Sequence, residues 1–298
     1  MNAFITRQLK MVNGLLDRWM AKQARESALP ANVELFSDIP YLDSGRSCHK
    51  MDIYRPKQAA HPLPVMVNLH GGGMVLCSKE VNRIFCGEMA KRGFLVFCLD
   101  YPLVPQATIP EILQDVCRGM NKVDEILETW GGDRRRVYLV GDSAGAFLSV
   151  YEIAAQKNPQ LAGAIPMTPS SLPVQALGLI SGMFYTTRSD STGFFLRKDF
   201  YGKRWRKHPM ARFYRPDRPE IAGVLPPCFL VTSKSDNLHG YTKTFCRGLK
   251  KTGTPFRLLD HSLLQNLQHD FLIVKPKHPA SQRAMDAMTD FLLSHRAP

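Results

Sequence analysis

An apolar, β-prone run, Val137-Tyr138-Leu139-Val140, breaks into Gly141-Asp142-Ser143-Ala144-Gly145 and resumes as a helical pattern from Ala146-Phe147-Leu148. A strand that turns sharply into a helix lifts the residue at the bend out of the sheet. Glycines two residues to either side of Ser143 let strand and helix approach closely, so the Ser143 hydroxyl stands clear as a nucleophile. At ordinary Gly and Ser usage the bare Gly-x-Ser-x-Gly pattern arises in about one chain in ten. The strand before it and the helix after it therefore carry the argument.

A second strand, Val65-Met66-Val67-Asn68-Leu69, runs into His70-Gly71-Gly72-Gly73. Three successive glycines after a strand expose consecutive backbone N–H groups, which can be aimed at the oxygen of a tetrahedral intermediate. A flexible turn is the bland alternative, and a phosphate cradle is the competing functional reading. The cradle is disfavoured because no Gly-Lys-Ser/Thr follows and the spacing of a dinucleotide fingerprint is missing.

A serine hydroxyl needs a base, and the base needs an orienting carboxylate. Cys228-Phe229-Leu230-Val231-Thr232 reads as a buried strand, which places Asp236 in the loop past its C-terminal end, where open α/β sheets build their sites. A helical pattern over Thr242–Leu249, a C-capping Gly253 and a strand over Phe256–Asp260 follow, and His269 lies in the loop beyond. Of the nine histidines, His239 is too near Asp236 in sequence to be oriented by it from another loop. His208, His278 and His295 fall in basic or terminal segments. His261 competes with His269 but abuts its strand. Asp260 and Asp270 each neighbour a candidate histidine and read as a strand end and a helix cap, and Asp142 reads as structural.

With these motifs the chain resembles the α/β-hydrolases of the hormone-sensitive-lipase-like carboxylesterase group. Asp100-Tyr101-Pro102-Leu103-Val104-Pro105 is similar to that family's Asp-Tyr-Arg-Leu-Ala-Pro segment, and Asp115 matches the acidic helix position that follows it. Gly132-Asp133-Arg134-Arg135-Arg136 matches its turn before the nucleophile strand, and Met51-Asp52-Ile53-Tyr54-Arg55-Pro56 is similar to the early strand of the feruloyl-esterase-like branch. Pro102 stands where an arginine is usual and Ala146 where glycine is frequent; the first removes an ion pair and the second adds a methyl group. The resemblance implies a triad of Ser143, Asp236 and His269. It also implies an oxyanion hole from the amides of Gly72, Gly73 and Ala144, and a His70 that supports the glycine loop rather than acting as a base. Gly71, Gly141 and Gly145 support the motifs, while Met74 and Cys77, just past the glycine loop, are candidates for lining the pocket.

The expected architecture is α/β: a mostly parallel central sheet with helices on both faces and an inserted cap. Strands are read near Val33–Ser37, Met51–Tyr54, Val65–Leu69, Leu95–Leu99, Val137–Val140, Ala162–Ile165, Cys228–Thr232 and Phe256–Asp260. Helical patterns lie between, over Val81–Arg92, Ile109–Thr129 and Ser281–Ser294. The alternation fails between Pro169 and Pro226, so residues 169–225, with Leu177-Gly178-Leu179-Ile180, Phe184-Tyr185 and Phe194-Phe195, are assigned to a cap between core segments 29–168 and 226–298. Residues 1–28 carry an apolar stripe of Ile5, Leu9, Val12, Leu16 and Trp19 flanked by basic residues. That helix is read as part of the cap, with a membrane surface as the lesser alternative.

At 298 residues and 44% hydrophobic, the chain can bury one large core or a core plus a small insertion. No apolar run approaches the eighteen or so residues of a membrane span, and no secretory pattern is read. Seven cysteines without close pairing read as reduced core residues of a cytoplasmic protein. No spacing suggests a metal, and no cofactor is expected. The net charge of +13 is concentrated: residues 188–218 hold ten Lys/Arg against three Asp, and residues 1–25 hold five against one. A basic cap could steer anionic esters to the pocket mouth, and a basic face that merely keeps the protein soluble accounts for the charge equally well. Nucleic acid is disfavoured as a partner because no known binding module accompanies the charge. The expected activity is hydrolysis of short to medium acyl esters. Hydrolysis of small amides or formamides, and ligand binding without hydrolysis on the same scaffold, are the alternatives.

Overall fold

The computed structural model describes Lys22 and residues 27–58, 62–262 and 266–297, the side chains of 191–195 apart. The amphipathic stripe from Ile5 to Trp19 and the side chains of Phe194 and Phe195 lie outside the described residues.

Alternation along the strands creates the architecture. The strands are β1 (Val33–Pro40), β2 (Lys50–Pro56), β3 (Leu63–Leu69), β4 (Leu95–Leu99), β5 (Gly132–Asp142), β6 (Val174–Ile180), β7 (Cys228–Ser233) and β8 (Phe256–His261). Successive side chains on a strand point to opposite faces. Val65, Val67, Leu69, Leu95, Phe97, Leu99, Val137, Leu139, Leu177 and Leu179 thus enter one apolar core. Met66, Val96, Cys98, Tyr138, Val140, Ala176 and Ile180 enter another. A sheet apolar on both faces must be covered on both, and helices do so. On the first face lie α2 (Ile109–Ile126), α3 (Ala144–Lys157) and α7 (His239–Thr252). On the second lie α1 (Arg83–Lys91), α8 (Phe271–Val274) and α9 (Pro279–Leu293).

The strands pair in the order β1-β2-β4-β3-β5-β6-β7-β8. Only the β1–β2 and β2–β4 pairs are antiparallel; the other pairs, from β4 to β8, are parallel. All parallel strands therefore end on one edge, and Ser143, Asp236 and His269 are carried in loops beyond β5, β7 and β8 on that edge.

Two expectations are corrected. Ala162–Ile165 is not a strand: Pro159–Ala164 forms the short helix α4, because the Asn158 side chain caps the amides of Gln160 and Leu161, and Pro159 starts the first turn. The strand of that unit is β6, in residues that the sequence reading placed in the cap. Val174–Ile180 pairs with β5 and β7 in the middle of the sheet, so the segment leaving the sheet starts at Ser181 rather than at residue 169. Gly178, which makes the run look loop-like, is closely packed there. A Cβ at Gly178 would lie 3.0 Å from both Met288 and Val140.

Between β6 and β7 the chain carries α5 (Ser191–Tyr201), 3-10 turns at Trp205–Lys207 and Pro209–Phe213, and α6 (Pro219–Ala222). This segment packs on the first core through Phe200, Tyr201, Met210, Phe213 and Ile221.

Candidate active site

Ser143 is held in a conformation that only its surroundings can enforce. Its φ of 47° and ψ of −108° belong to a strained bend, fixed by hydrogen bonds from its N–H to the Ile180 carbonyl (2.8 Å) and from the Met183 N–H to its own carbonyl (2.9 Å). The flanking glycines are sterically obligatory. A Cβ on Gly145 would sit 1.9 Å from the Leu69 carbonyl oxygen, and one on Gly141 would sit 2.3 Å from the Gly145 backbone.

The structure brings Ser143, His269 and Asp236 into one hydrogen-bonded line. His269 Nε2 is 3.0 Å from Ser143 Oγ, and Nδ1 is 2.8 Å from Asp236 Oδ1. Asp236 is buried and positioned in turn, accepting from the Leu238 N–H at 2.8 Å and the Thr232 hydroxyl at 3.3 Å. Burial alone would raise the Asp236 carboxyl, but the His269 hydrogen bond and charge and the Leu238 amide outweigh it and hold the group below its ordinary value. Burial likewise works against a charged His269, yet Asp236 and Asp270 together push the imidazole up to about 10.

The competing residues are engaged elsewhere. His261 packs edge-on against Phe271, with ring centroids 5.2 Å apart. Asp260 is bonded to His239 at 3.0 Å and to Lys243 at 3.0 Å. Asp270 does not behave as the cap that the sequence reading made of it. It stands at the cap position of α8, but its side chain makes no capping bond, and Oδ2 lies 3.1 Å from His269 Nε2. Adjacency to the histidine was the available signal, and the cap reading obscured it.

The glycine loop lies directly against the nucleophile. A Cβ on Gly71 would meet Asp142 Oδ2 at 2.3 Å and Ser143 Cβ at 3.2 Å. Gly72 and Gly73 have φ of 97° and 63°, accessible to glycine without penalty. The amides of Gly72, Gly73 and Ala144 donate to no acceptor among the described residues. His70 braces the loop. Nδ1 lies 2.8 Å from the Gly71 carbonyl, Nε2 lies 3.0 Å from Asp100 Oδ1, and the ring stacks on Tyr101 at 4.2 Å. Both ring nitrogens thus face acceptors, which favours the imidazolium; burial opposes the charge, but Asp100 outweighs it, and the His70 value is raised. Asp142 accepts from Asn82 at 2.6 Å, and burial pushes its carboxyl up. Met74 is buried in the first core, and Cys77 packs under Gly72, where a Cβ would approach it to 2.7 Å. All seven cysteines are thiols, and no described helix is long and apolar enough to cross a membrane.

A family model described as the alpha/beta hydrolase fold matches residues 66–273. The chain is 29% identical over 235 residues to the isoprenylcysteine α-carbonyl methylesterase of Arabidopsis thaliana, covering 75% of this chain and 54% of that protein. It therefore spans about half the length of that relative. An ethyl acetate hydrolase of Pseudomonas putida is 28% identical over 233 residues, covering 74% of this chain and 70% of the other. Among solved structures, esterase B from Lactobacillus rhamnosis inhibited by a tributyrin phosphonate superposes with a TM-score of 0.90. The match covers 99% of this chain and 96% of that one at 16% identity, a likeness of fold. The strand order, the elbow at Ser143 and the matched family model lead to one conclusion: the chain belongs to the α/β-hydrolase fold family, as a member of its carboxylesterase-like group.

Proposed function

We propose that this chain is a serine carboxylester hydrolase acting on short to medium acyl esters through an acyl-enzyme. The observation that carries the reading is the unbroken line Ser143 Oγ, His269, Asp236, with contacts of 3.0 and 2.8 Å, beside a glycine loop whose Gly72 and Gly73 amides donate to no acceptor among the described residues.

His269 Nε2 takes the Ser143 proton as Oγ bonds to the ester carbonyl carbon. Asp236 fixes the tautomer that leaves Nε2 free and stabilises the imidazolium. The oxyanion forms against the amides of Gly72, Gly73 and Ala144, whose donors are positioned before the reaction and cost no reorganisation. The carbon–oxygen bond to the alcohol then breaks, and the alcohol leaves with the Nε2 proton. Water repeats the cycle on the acyl-Ser143 ester. Relatives named for a methyl ester and for ethyl acetate support a small leaving alcohol. The segment between β6 and β7 acts as the cap that shapes the acyl pocket.

Initial rates on p-nitrophenyl esters from acetyl to dodecanoyl test this reading. It predicts a kcat/KM maximum at or below about octanoyl. A maximum at dodecanoyl would contradict the chain-length assignment, and no turnover of any ester would contradict the activity.

A further inference from the structure

His269 has a carboxylate on each side of its ring, and the line through Asp236 accounts for only one. The other belongs to Asp270. Its Oδ2 is 3.1 Å from Nε2, the same nitrogen that lies 3.0 Å from Ser143 Oγ. Three features of Asp270 set it apart from a residue that merely begins a helix. It occupies the left-handed region at φ 53° and ψ 34°, unusual for a residue with a Cβ. It forgoes the capping bond that its side chain type ordinarily makes at that position. Its Oδ1 is buried with no hydrogen-bond partner among the described residues. The backbone is pinned in this posture, with the Asp270 N–H donating to Ser181 Oγ at 3.2 Å and the Ile273 and Val274 amides donating to its carbonyl at 2.8 and 2.9 Å.

The surroundings leave this carboxylate little else to pair with. Asp142, at the end of β5, and Asp236, from the loop after β7, are also carboxylates; the cationic groups acting most strongly on the three are the imidazoles of His269 and His70. Tyr101 faces Asp142 with its phenol pushed up by burial, and His261 of β8 packs on Phe271 behind α8. We propose that Asp270 is a positioning residue for the protonated base: its Oδ2 accepts the Nε2–H of the His269 imidazolium in competition with Ser143, and so sets the pH at which the enzyme switches on.

This inference rests on His269 being the base. When His269 is neutral, Nε2 offers a lone pair to the Ser143 hydroxyl and turns that lone pair toward the Asp270 carboxylate, which is repulsive. When the ring is protonated, the same carboxylate becomes a hydrogen-bond acceptor and the contact attractive. Asp270 therefore favours the charged ring, in the same direction as the raised His269 value. The proton count through the cycle is unchanged. Burial pushes the Asp270 carboxyl up, against the hydrogen bond and charge of His269; in the cycle the proton leaving Ser143 Oγ resides on Nε2 facing Asp270 until the alcohol takes it, with Asp270 as acceptor and not as proton carrier. The competition withholds activity at low pH, makes neutral His269 a stronger base toward Ser143, and makes its imidazolium a weaker acid toward the leaving alcohol.

The test is kcat/KM against pH on p-nitrophenyl acetate, followed at a pH-independent wavelength, for the unmodified enzyme, Asp270→Asn, Asp270→Gly and His269→Gln. Glycine adopts a φ of 53° without strain, so Asp270→Gly keeps the fold available if the Asn variant is poorly folded. In the unmodified enzyme the midpoint of the acid limb is expected above the ordinary imidazole value of about 6.5. Both Asp270 variants are expected to move it down by one pH unit or more, seen near pH 6 as a gain approaching tenfold for a one-unit shift, relative to each variant's own plateau. An acid limb unmoved within about 0.3 unit in a folded variant would overturn the assignment. His269→Gln separates the two ideas: loss of activity supports the base on which the inference rests, whereas retained activity would overturn that base whatever the Asp270 variants do.

Discussion

Glycine positions mark where single atoms decide the outcome. Gly145 admits no side chain, since a Cβ would lie 1.9 Å from the Leu69 carbonyl oxygen, whereas a Cβ on Gly163 of α4 meets nothing within 4 Å. Gly145→Ala is expected to destabilise the protein by at least about 2 kcal/mol through overpacking, and Gly163→Ala to stabilise it by about 0.5–1 kcal/mol through helix propensity. Urea unfolding of the two variants checks this, and equal midpoints would contradict it. Glu152 of α3 makes a second case. It is wholly buried, neither carboxylate oxygen has a hydrogen-bond partner among the described residues, and burial, only partly offset by the Cys117 thiol, pushes its carboxyl up to about 8. In the unfolded chain it titrates near 4.3. Between those values the unfolded state loses its proton while the folded state keeps it, so this group lowers stability as pH rises from about 4.3 to 8 and no further above. Glu152→Gln removes that titration. Its stability is expected to fall less over this interval and to exceed that of the unmodified protein at pH 8 by the order of 2–5 kcal/mol; parallel stability curves from pH 5 to 8 would contradict the assignment.

At the scale of elements, what could be read from the sequence follows from how strongly each strand is buried. β3, β4 and β7 are buried along their whole lengths, and such strands appear as continuous apolar runs bounded by turn residues. β6 was hidden because Gly178 interrupts its run, and α4 was mistaken for a strand because one helical turn of small apolar residues has no visible period. The placement of the candidate site residues was more legible than these elements, since the ends of β5, β7 and β8 converge on one edge. Asp270 was not, because its conformation depends on Ser181 from a loop distant in sequence. The same convergence yields a ranking. Asp236→Asn is expected to lower kcat on a neutral ester by roughly 10³–10⁴ by favouring the wrong tautomer, while His261→Gln, which alters packing against Phe271 and leaves the contacts of His269 with Ser143 and Asp236 in place, is expected to cost less than about tenfold. The reverse ranking in steady-state rates would move the base to His261.

The whole molecule presents its positive charge unevenly. Lys203, Arg204, Arg206 and Lys207 are exposed on the segment between β6 and β7, and Trp205 among them is flanked by Arg197 at 4.9 Å and Arg206 at 4.5 Å. If this face steers substrate, kcat/KM for a carboxylate-bearing ester falls as salt shortens the Debye length from ~30 Å to ~8 Å, while a neutral ester is unaffected. Replacing the four residues by Gln is expected to flatten that dependence; identical salt responses of the two esters in the unmodified enzyme would contradict steering. The predicted effects on activity presuppose one proposed chemistry, carried by the hydroxyl that the β5–α3 turn lifts beside His269. The most direct measurement is the rate of p-nitrophenyl acetate hydrolysis by Ser143→Ala, with circular dichroism and the melting temperature taken on the same sample. Removing one hydroxyl and no glycine predicts an unchanged fold and a loss of at least about 10⁴ in kcat. A folded Ser143→Ala protein that retains more than a few per cent of the activity would contradict the account.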